Sequence, residues 1–168
     1  MKRIVVLCIA VGAFALWAQA GTAQAPVGRT LSFYEAPTVG DFAVVDNVPR
    51  SPVKNPESRK YRFSLGDEVV FSEPFLDHKG GTRLGTLYGS GKVVKGKTFA
   101  SVVFLGQVVY AFNGTGDQIT AHGVFSFSAT DVRVPVVGGT GAYNGARGFV
   151  VSHNNADDSS QDTITLLP

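Results

Sequence analysis

One carboxylate stands on the apolar side of the first strand-like run of this chain. In Thr30-Leu31-Ser32-Phe33-Tyr34-Glu35, period-two alternation puts Leu31, Phe33 and Glu35 on one face and Thr30, Ser32 and Tyr34 on the other. A carboxyl group in that company has two readings: a strand-end acid that reaches solvent, or a buried acid with a raised pKa. Only the second carries chemistry, because a carboxylate shielded from water interacts strongly with developing positive charge. Farther on, Val69, Phe71 and Glu73 also share a face, where Phe71 is by default a core aromatic.

The other chemistry-bearing residues form no recognisable constellation. His78, His122 and His153 lie far apart, without the close pairing of a metal site. The tail from Asn154 to Asp162 is rich in oxygen ligands but lacks a calcium-loop spacing, so it reads as a solvated turn. The stretch Gly138-Gly139-Thr140-Gly141-Ala142-Tyr143-Asn144 puts Asn144 where a nucleotide loop needs its third glycine, and Phe149-Val150-Val151 continues as a strand, so no helix N-terminus receives a phosphate. These glycines instead permit a tight excursion between strands. Cys8, Met1 and Trp17 are the only residues of their types and all precede residue 26, which leaves no thiol for a disulfide, a metal or a nucleophile beyond that point. Neither a metal nor a cofactor is expected.

Positioning these residues falls to one domain. The 168 residues divide into a leader and a fold: Lys2 and Arg3, an uncharged apolar run from Ile4 to Trp17, and two small-x-small patterns ending at Ala20 and Ala25 predict a secretory signal peptide over residues 1–25. The apolar run is shorter than the roughly 20 residues that span a bilayer, so no stable membrane anchor is expected. Secretion follows, with the periplasm or cell surface as alternatives. Removing Lys2 and Arg3 leaves 13 basic and 13 acidic residues, a neutral balance that argues against a nucleic-acid partner.

From Arg29 onward β-branched and aromatic residues alternate between Gly, Pro, Asn and Asp, which predicts an all-β fold. Strands are expected near residues 29–35, 67–76, 82–94, 98–112, 118–128, 133–137, 146–153 and 162–167. Pro49, Pro52 and Pro56 make residues 46–60 a long loop, either a lid or a merely mobile segment. The run from Val102 to Phe112 is apolar on both faces, so its outer face needs a cover; a partner subunit and an element packed on it are the two options, and a homo-oligomer is expected.

Val136-Val137-Gly138-Gly139-Thr140-Gly141, followed by Ala146-Arg147-Gly148, resembles the dirigent signature, and Ser64-Leu65-Gly66-Asp67-Glu68-Val69-Val70-Phe71 is similar to a segment of the allene oxide cyclases. With Phe33-Tyr34-Glu35 the resemblance to this superfamily covers residues 29–168. It implies an eight-stranded antiparallel β-barrel with a hydrophobic lumen, commonly a trimer. It further implies that Glu35 matches the cyclase carboxylate, which helps open an epoxide and stabilises a cationic intermediate, and that Phe71 matches an aromatic facing that cation. Arg133 lies one residue from a dirigent pocket arginine, so Phe33, Phe71 and Arg133 are the candidate substrate-binding residues beside Glu35. Pro37 stands where the cyclases carry an asparagine, Gly91 where they carry a lumen cysteine, and Pro37 and Phe125 where dirigent pockets carry acids.

The expectation is a secreted barrel spanning residues 26–168 that binds an apolar or aromatic small molecule. Steering its stereoselective cyclisation or coupling, as an isomerase or cyclase, is the activity the resemblance implies. The alternative is a non-catalytic binding or structural barrel.

Overall fold

The computed structural model describes residues 28–36, 40–48, 51, 53–54, 58 and 60–168. The predicted signal peptide, Pro37 and much of the proline-rich loop lie outside these described residues. Nine strands follow in chain order: β1 Thr30–Glu35, β2 Asp41–Val45, β3 Glu68–Leu76, β4 Arg83–Lys95, β5 Val103–Phe112, β6 Gln118–Phe125, β7 Asp131–Thr140, β8 Gly148–Asn154 and β9 Ser160–Leu166. Every pairing is antiparallel, and from β3 to β9 each strand pairs with the next. β9 then returns to β1 over six residue pairs, from Thr30 opposite Thr165 to Glu35 opposite Ser160. β1 meets β3 at Tyr34 with Leu76 and Glu35 with Phe75, which closes an eight-stranded barrel of β1 and β3 to β9. Closure satisfies the backbone groups that an open sheet leaves at its edges.

The closing seam is composite. Below the two β1 pairs, the same edge of β3 is taken up by the extra strand β2, from Asp41 opposite Ser72 to Val45 opposite Glu68. Between the two lie Glu73 and Pro74, which have no cross-strand partner on this side among the described residues. Proline suits the break, because it has no N–H to contribute to a ladder.

Alternation decides what faces inward. Leu31, Phe33 and Glu35 of β1, Phe71, Glu73 and Phe75 of β3, Tyr110 and Phe112 of β5, Ile119 and Ala121 of β6, and Asp162, Ile164 and Leu166 of β9 share the interior face through their registers. Glycines on β4 make room for the largest rings. A Cβ on Gly85 would meet Phe75 Cζ at 2.5 Å, and one on Gly89 would collide with the Phe71 ring. The core forms two clusters, one around Phe33, Phe75, Leu87, Tyr110, Ile119 and Ile164, the other around Tyr61, Phe63, Val69, Val93, Val102 and Phe104.

All eight expected strands are present, with the run expected from residue 98 starting at Val103 after a turn through residues 97–101. β2 is an addition: Asp41-Phe42-Ala43-Val44-Val45 is too short, before the proline-rich loop, for its pattern to predict a strand. No strand or helix falls in the described residues of 46–60, but the limb that follows is firmly held. Tyr61 and Phe63 are buried and plug one end of the barrel, with Phe63 N donating to Lys97 O at 2.9 Å and Gly66 N to Val93 O at 3.0 Å. Buried Asp67 accepts from the backbone N–H groups of Asn47 and Ser64, tying the two ends of the loop together. The outer face of β5 and its neighbours stays uncovered in the single chain, leaving Tyr88, Leu105 and Val124 exposed.

Candidate active site

Glu35 is the last residue of β1 and lies at the point where the barrel closes, opposite Ser160 on one side and Phe75 on the other. Inward orientation follows from the alternation with Leu31 and Phe33, and only 6% of its surface is exposed. The buried reading of this carboxyl is the one the fold adopts. Ser160 donates its hydroxyl to Glu35 Oε2 at 2.6 Å. Two pairs further along, Phe33 is opposite Asp162, which is 1% exposed and accepts a hydrogen bond from the hydroxyl of buried Tyr110. Glu35 Oε1 and Asp162 Oδ1 are buried, and no N–H or O–H group of the other described residues donates to them. A third carboxyl, Glu73 of β3, faces the same interior two residues from Phe75.

Burial pushes the pKa of Glu35 well above the ordinary carboxyl range, the negative charge of Asp162 adds to it, and so does a hydrogen bond between the two carboxyl groups. The Ser160 hydroxyl pulls weakly the other way. The pair therefore holds a proton on Glu35, as two buried carboxylates in contact cannot both ionise cheaply. Burial, then Asp162, also raises Glu73. The Tyr110 phenol is pushed well up by burial and by the charges of Asp162 and Glu35, so it remains a donor. Among the described residues no Lys, Arg or His is buried to balance these acids.

Of the residues singled out by sequence, Phe33 is brought beside Glu35: its ring packs on Phe75 at 4.8 Å and on Tyr110 at 5.9 Å. Phe71 also faces inward but stands four residues from Phe75, about 13 Å of strand, and packs edge-on against Phe127 at 5.9 Å. Arg133 is not brought to the site. Its neighbours Val132 and Val134 point inward, so Arg133 projects outward, is exposed, and lies 3.6 Å over the Phe149 ring. The expected pocket arginine, and any ion pair between it and Glu35, is therefore absent from the interior.

Asp162, Tyr110 and Ser160 were missed as site residues. Asp162 read as the end of a solvated acidic turn, yet the alternation Asp162-Thr163-Ile164-Thr165-Leu166 already put it on the apolar face of its strand. Among the described residues no group of three His, Cys, Asp or Glu side chains could hold a metal ion. What the arrangement offers is a protonated carboxylic acid beside a carboxylate, both buried and flanked by aromatic rings. Such a pair donates a proton or hydrogen bond to an oxygen, and as an anion stabilises positive charge.

Solved structures of the same shape come from small-molecule chemistry. A pyocyanin demethylase superposes with a TM-score of 0.61 at 16% identity, covering 82% of this chain and 99% of that one. The pterocarpan synthase dirigent protein PsPTS1 gives 0.61 at 16% identity over 86% and 97%. The Diels-Alderase AbmU from Streptomyces koyangensis gives 0.52 at 15% identity over 84% and 70%. At these identities the likeness is one of fold. No curated protein matches the sequence. The sequence pattern of the family described as dirigent-like protein, however, matches residues 28–167, from just before β1 to the end of β9. With the glycine-rich segment placed at the β7–β8 connection and the barrel closed as that family requires, this chain belongs to the dirigent-like proteins.

Proposed function

We propose that the protein is a secreted dirigent-like barrel that binds an apolar or aromatic small molecule and steers its stereoselective cyclisation or coupling. The observation that carries this reading is the buried Glu35–Asp162 pair, a proton-holding acid walled by Phe33 and Phe75. Glu35 donates its proton or a hydrogen bond to an oxygen of the reacting molecule, and the resulting anion stabilises the positive charge that develops as the ring closes. Asp162, held by Tyr110, keeps the proton on Glu35 until it is needed. The rings set the face on which the new bond forms. The similar structures named as a pterocarpan synthase and Diels-Alderases support cyclisation as the type of reaction.

Glu35→Gln tests the reading. It removes the titrating proton at almost unchanged volume, so ligand binding should persist while turnover of a cyclising or coupling substrate falls by roughly two powers of ten, the scale of one preorganised electrostatic group. Unchanged turnover would leave a non-catalytic binding barrel. Export is tested separately by sequencing the N-terminus of secreted protein, which should begin at Gly21 or Pro26.

A further inference from the structure

The charge of this chain is sorted by position. Residues 46–68 and 92–103 carry eight Lys or Arg against four Asp or Glu, whereas the rest of the chain from residue 26 carries five against nine. The two basic segments meet at one end of the barrel: Gly66 N donates to Val93 O at 3.0 Å and Phe63 N to Lys97 O at 2.9 Å, so the β2–β3 connection lies along the end of β4 and the β4–β5 turn. Acids mark the other end of β3. Asp157 and Asp158 occupy the β8–β9 turn, which Lys79 Nζ on Asp157 Oδ2 at 3.2 Å ties to the β3–β4 hairpin, about 27 Å of strand from the start of β3.

Apolar side chains stand out among the bases. Leu65 is the second residue of a turn closed by Asp67 N on Ser64 O, with Gly66 beside it at φ +88°, and it is 68% exposed. Phe99 is the second residue of a turn closed by Ser101 N on Thr98 O and by the two hydroxyls at 2.8 Å; it too is exposed, with its ring stacked on Phe127. Turn tips ordinarily carry Gly, Pro, Asn, Asp or Ser, so two tips that present a leucine and a phenylalanine to water are a departure from turn chemistry. Ser64 Oγ on Val48 O at 3.4 Å brings exposed Val48 to the Leu65 turn, and Val94, next to Val93, is exposed as well. Lys60, Lys92, Lys95 and Lys97 are exposed in the same segments, and among the described residues none of them is in an ion pair. Of the acids here, Asp67 is buried on backbone N–H groups and Glu68 is half-buried.

We infer that this end of the barrel docks on an anionic lipid bilayer, with Leu65 and Phe99 entering the boundary between headgroups and acyl chains and the lysines lying on the lipid phosphates. Apolar tips among unpaired bases match the two layers of such a surface, a negative headgroup plane over hydrocarbon, whereas a nucleic acid or an acidic polysaccharide offers the charge without a hydrocarbon layer. The polarity of the chain orients the contact, since the β8–β9 turn with its acids is repelled by the same surface that attracts the lysines. This docking is independent of Glu35 and of the proposed function, which stands or falls by its own turnover test.

Vesicle sedimentation tests the assignment with residues 26–168, which hold all nine strands and both core clusters without the apolar run from Ile4 to Trp17. Partitioning onto vesicles of phosphatidylcholine mixed with phosphatidylglycerol should exceed that onto phosphatidylcholine alone by at least about tenfold at about 0.05 M salt, and the excess should vanish at about 0.5 M. Each lysine near an anionic surface is worth about fivefold, so Lys95→Gln with Lys97→Gln should cut binding by about twentyfold. Leu65→Ser with Phe99→Ser should cut it by at least about tenfold. Lys79→Gln, at the far end of β3, should change nothing. Near-ultraviolet circular dichroism reports whether each variant folds, and the lipid and salt dependence of the unsubstituted protein keeps the test valid if one does not. Equal binding to both vesicles, or binding to neither, overturns the inference, as does retention on heparin or duplex DNA without binding to vesicles. Anionic binding that survives either double substitution in a folded variant overturns the placement of this end on the bilayer.

Discussion

Three acids on neighbouring strands make the interior of this barrel a place where protonation and stability are linked. Unfolded, Glu35 titrates at about 4.3; folded, burial and Asp162 hold it higher. Below the unfolded value both states carry the proton and the stabilisation is fully present. Above it the unfolded chain releases a proton that the fold retains, so stability falls as pH rises until the folded pKa is passed. Each unit of separation is worth about 1.4 kcal/mol. Other carboxyls titrate in the same range, which makes the difference between natural protein and Glu35→Gln the quantity to measure. Urea midpoints of the Gln variant should fall less steeply from about pH 4.3 toward neutrality, and parallel curves would show that Glu35 ionises freely. At this scale the sequence was half legible. Alternation exposed Glu35 because Leu31 and Phe33 precede it, whereas Asp162 was masked by the polar residues before it, although Ile164 and Leu166 after it carried the same signal.

The strands themselves were readable because their punctuation is chemical. Gly96, Gly114 and Gly116 take positive φ at the turns flanking β5, a conformation that strongly favours glycine. β2 was not readable: five residues before a proline-rich stretch carry too little pattern, and what makes them a strand is the edge of β3 that β1 leaves vacant. The fit between β3 and β4 is equally invisible in either strand alone. Phe71 needs Gly89 opposite, so Gly89→Ala should cost about 1–3 kcal/mol, and Phe71→Leu in the same chain should recover part of that loss in denaturant melts. The plug yields a sharper expectation. Phe63 is 3% exposed and stacks edge-on with Phe104 at 5.9 Å, so Phe63→Ala should destabilise by about 3–5 kcal/mol. A loss below about 1 kcal/mol would mean the loop limb only rests on the barrel end.

For the whole molecule, the apolar outer face read from Val102 to Phe112 is the feature that a single chain leaves unfinished. Leu105 and Val124 stand opposite one another on β5 and β6 and both are largely exposed. Association through this face into a closed cyclic assembly, a trimer in the form the resemblance implies, should appear in light scattering at micromolar protein. Leu105→Lys with Val124→Lys should then yield monomers with the fold intact, and a natural protein that is already monomeric would remove the proposal. The seam should also register globally: Tyr34 and Glu35 join β3 by only two pairs, so hydrogen exchange there should exceed that of the β3–β4 ladder.

Closure by β1 against β9 has one more consequence, which concerns time rather than space. Thr30 pairs with Thr165, so the first strand to leave the ribosome must wait for the last, and every intermediate length of nascent chain lacks its final partner. Contacts this remote in sequence are slow to form, placing folding in the milliseconds-to-seconds class of non-local β proteins. Until β9 has been synthesised, β1 is left without the six-pair ladder that closes the barrel on that side.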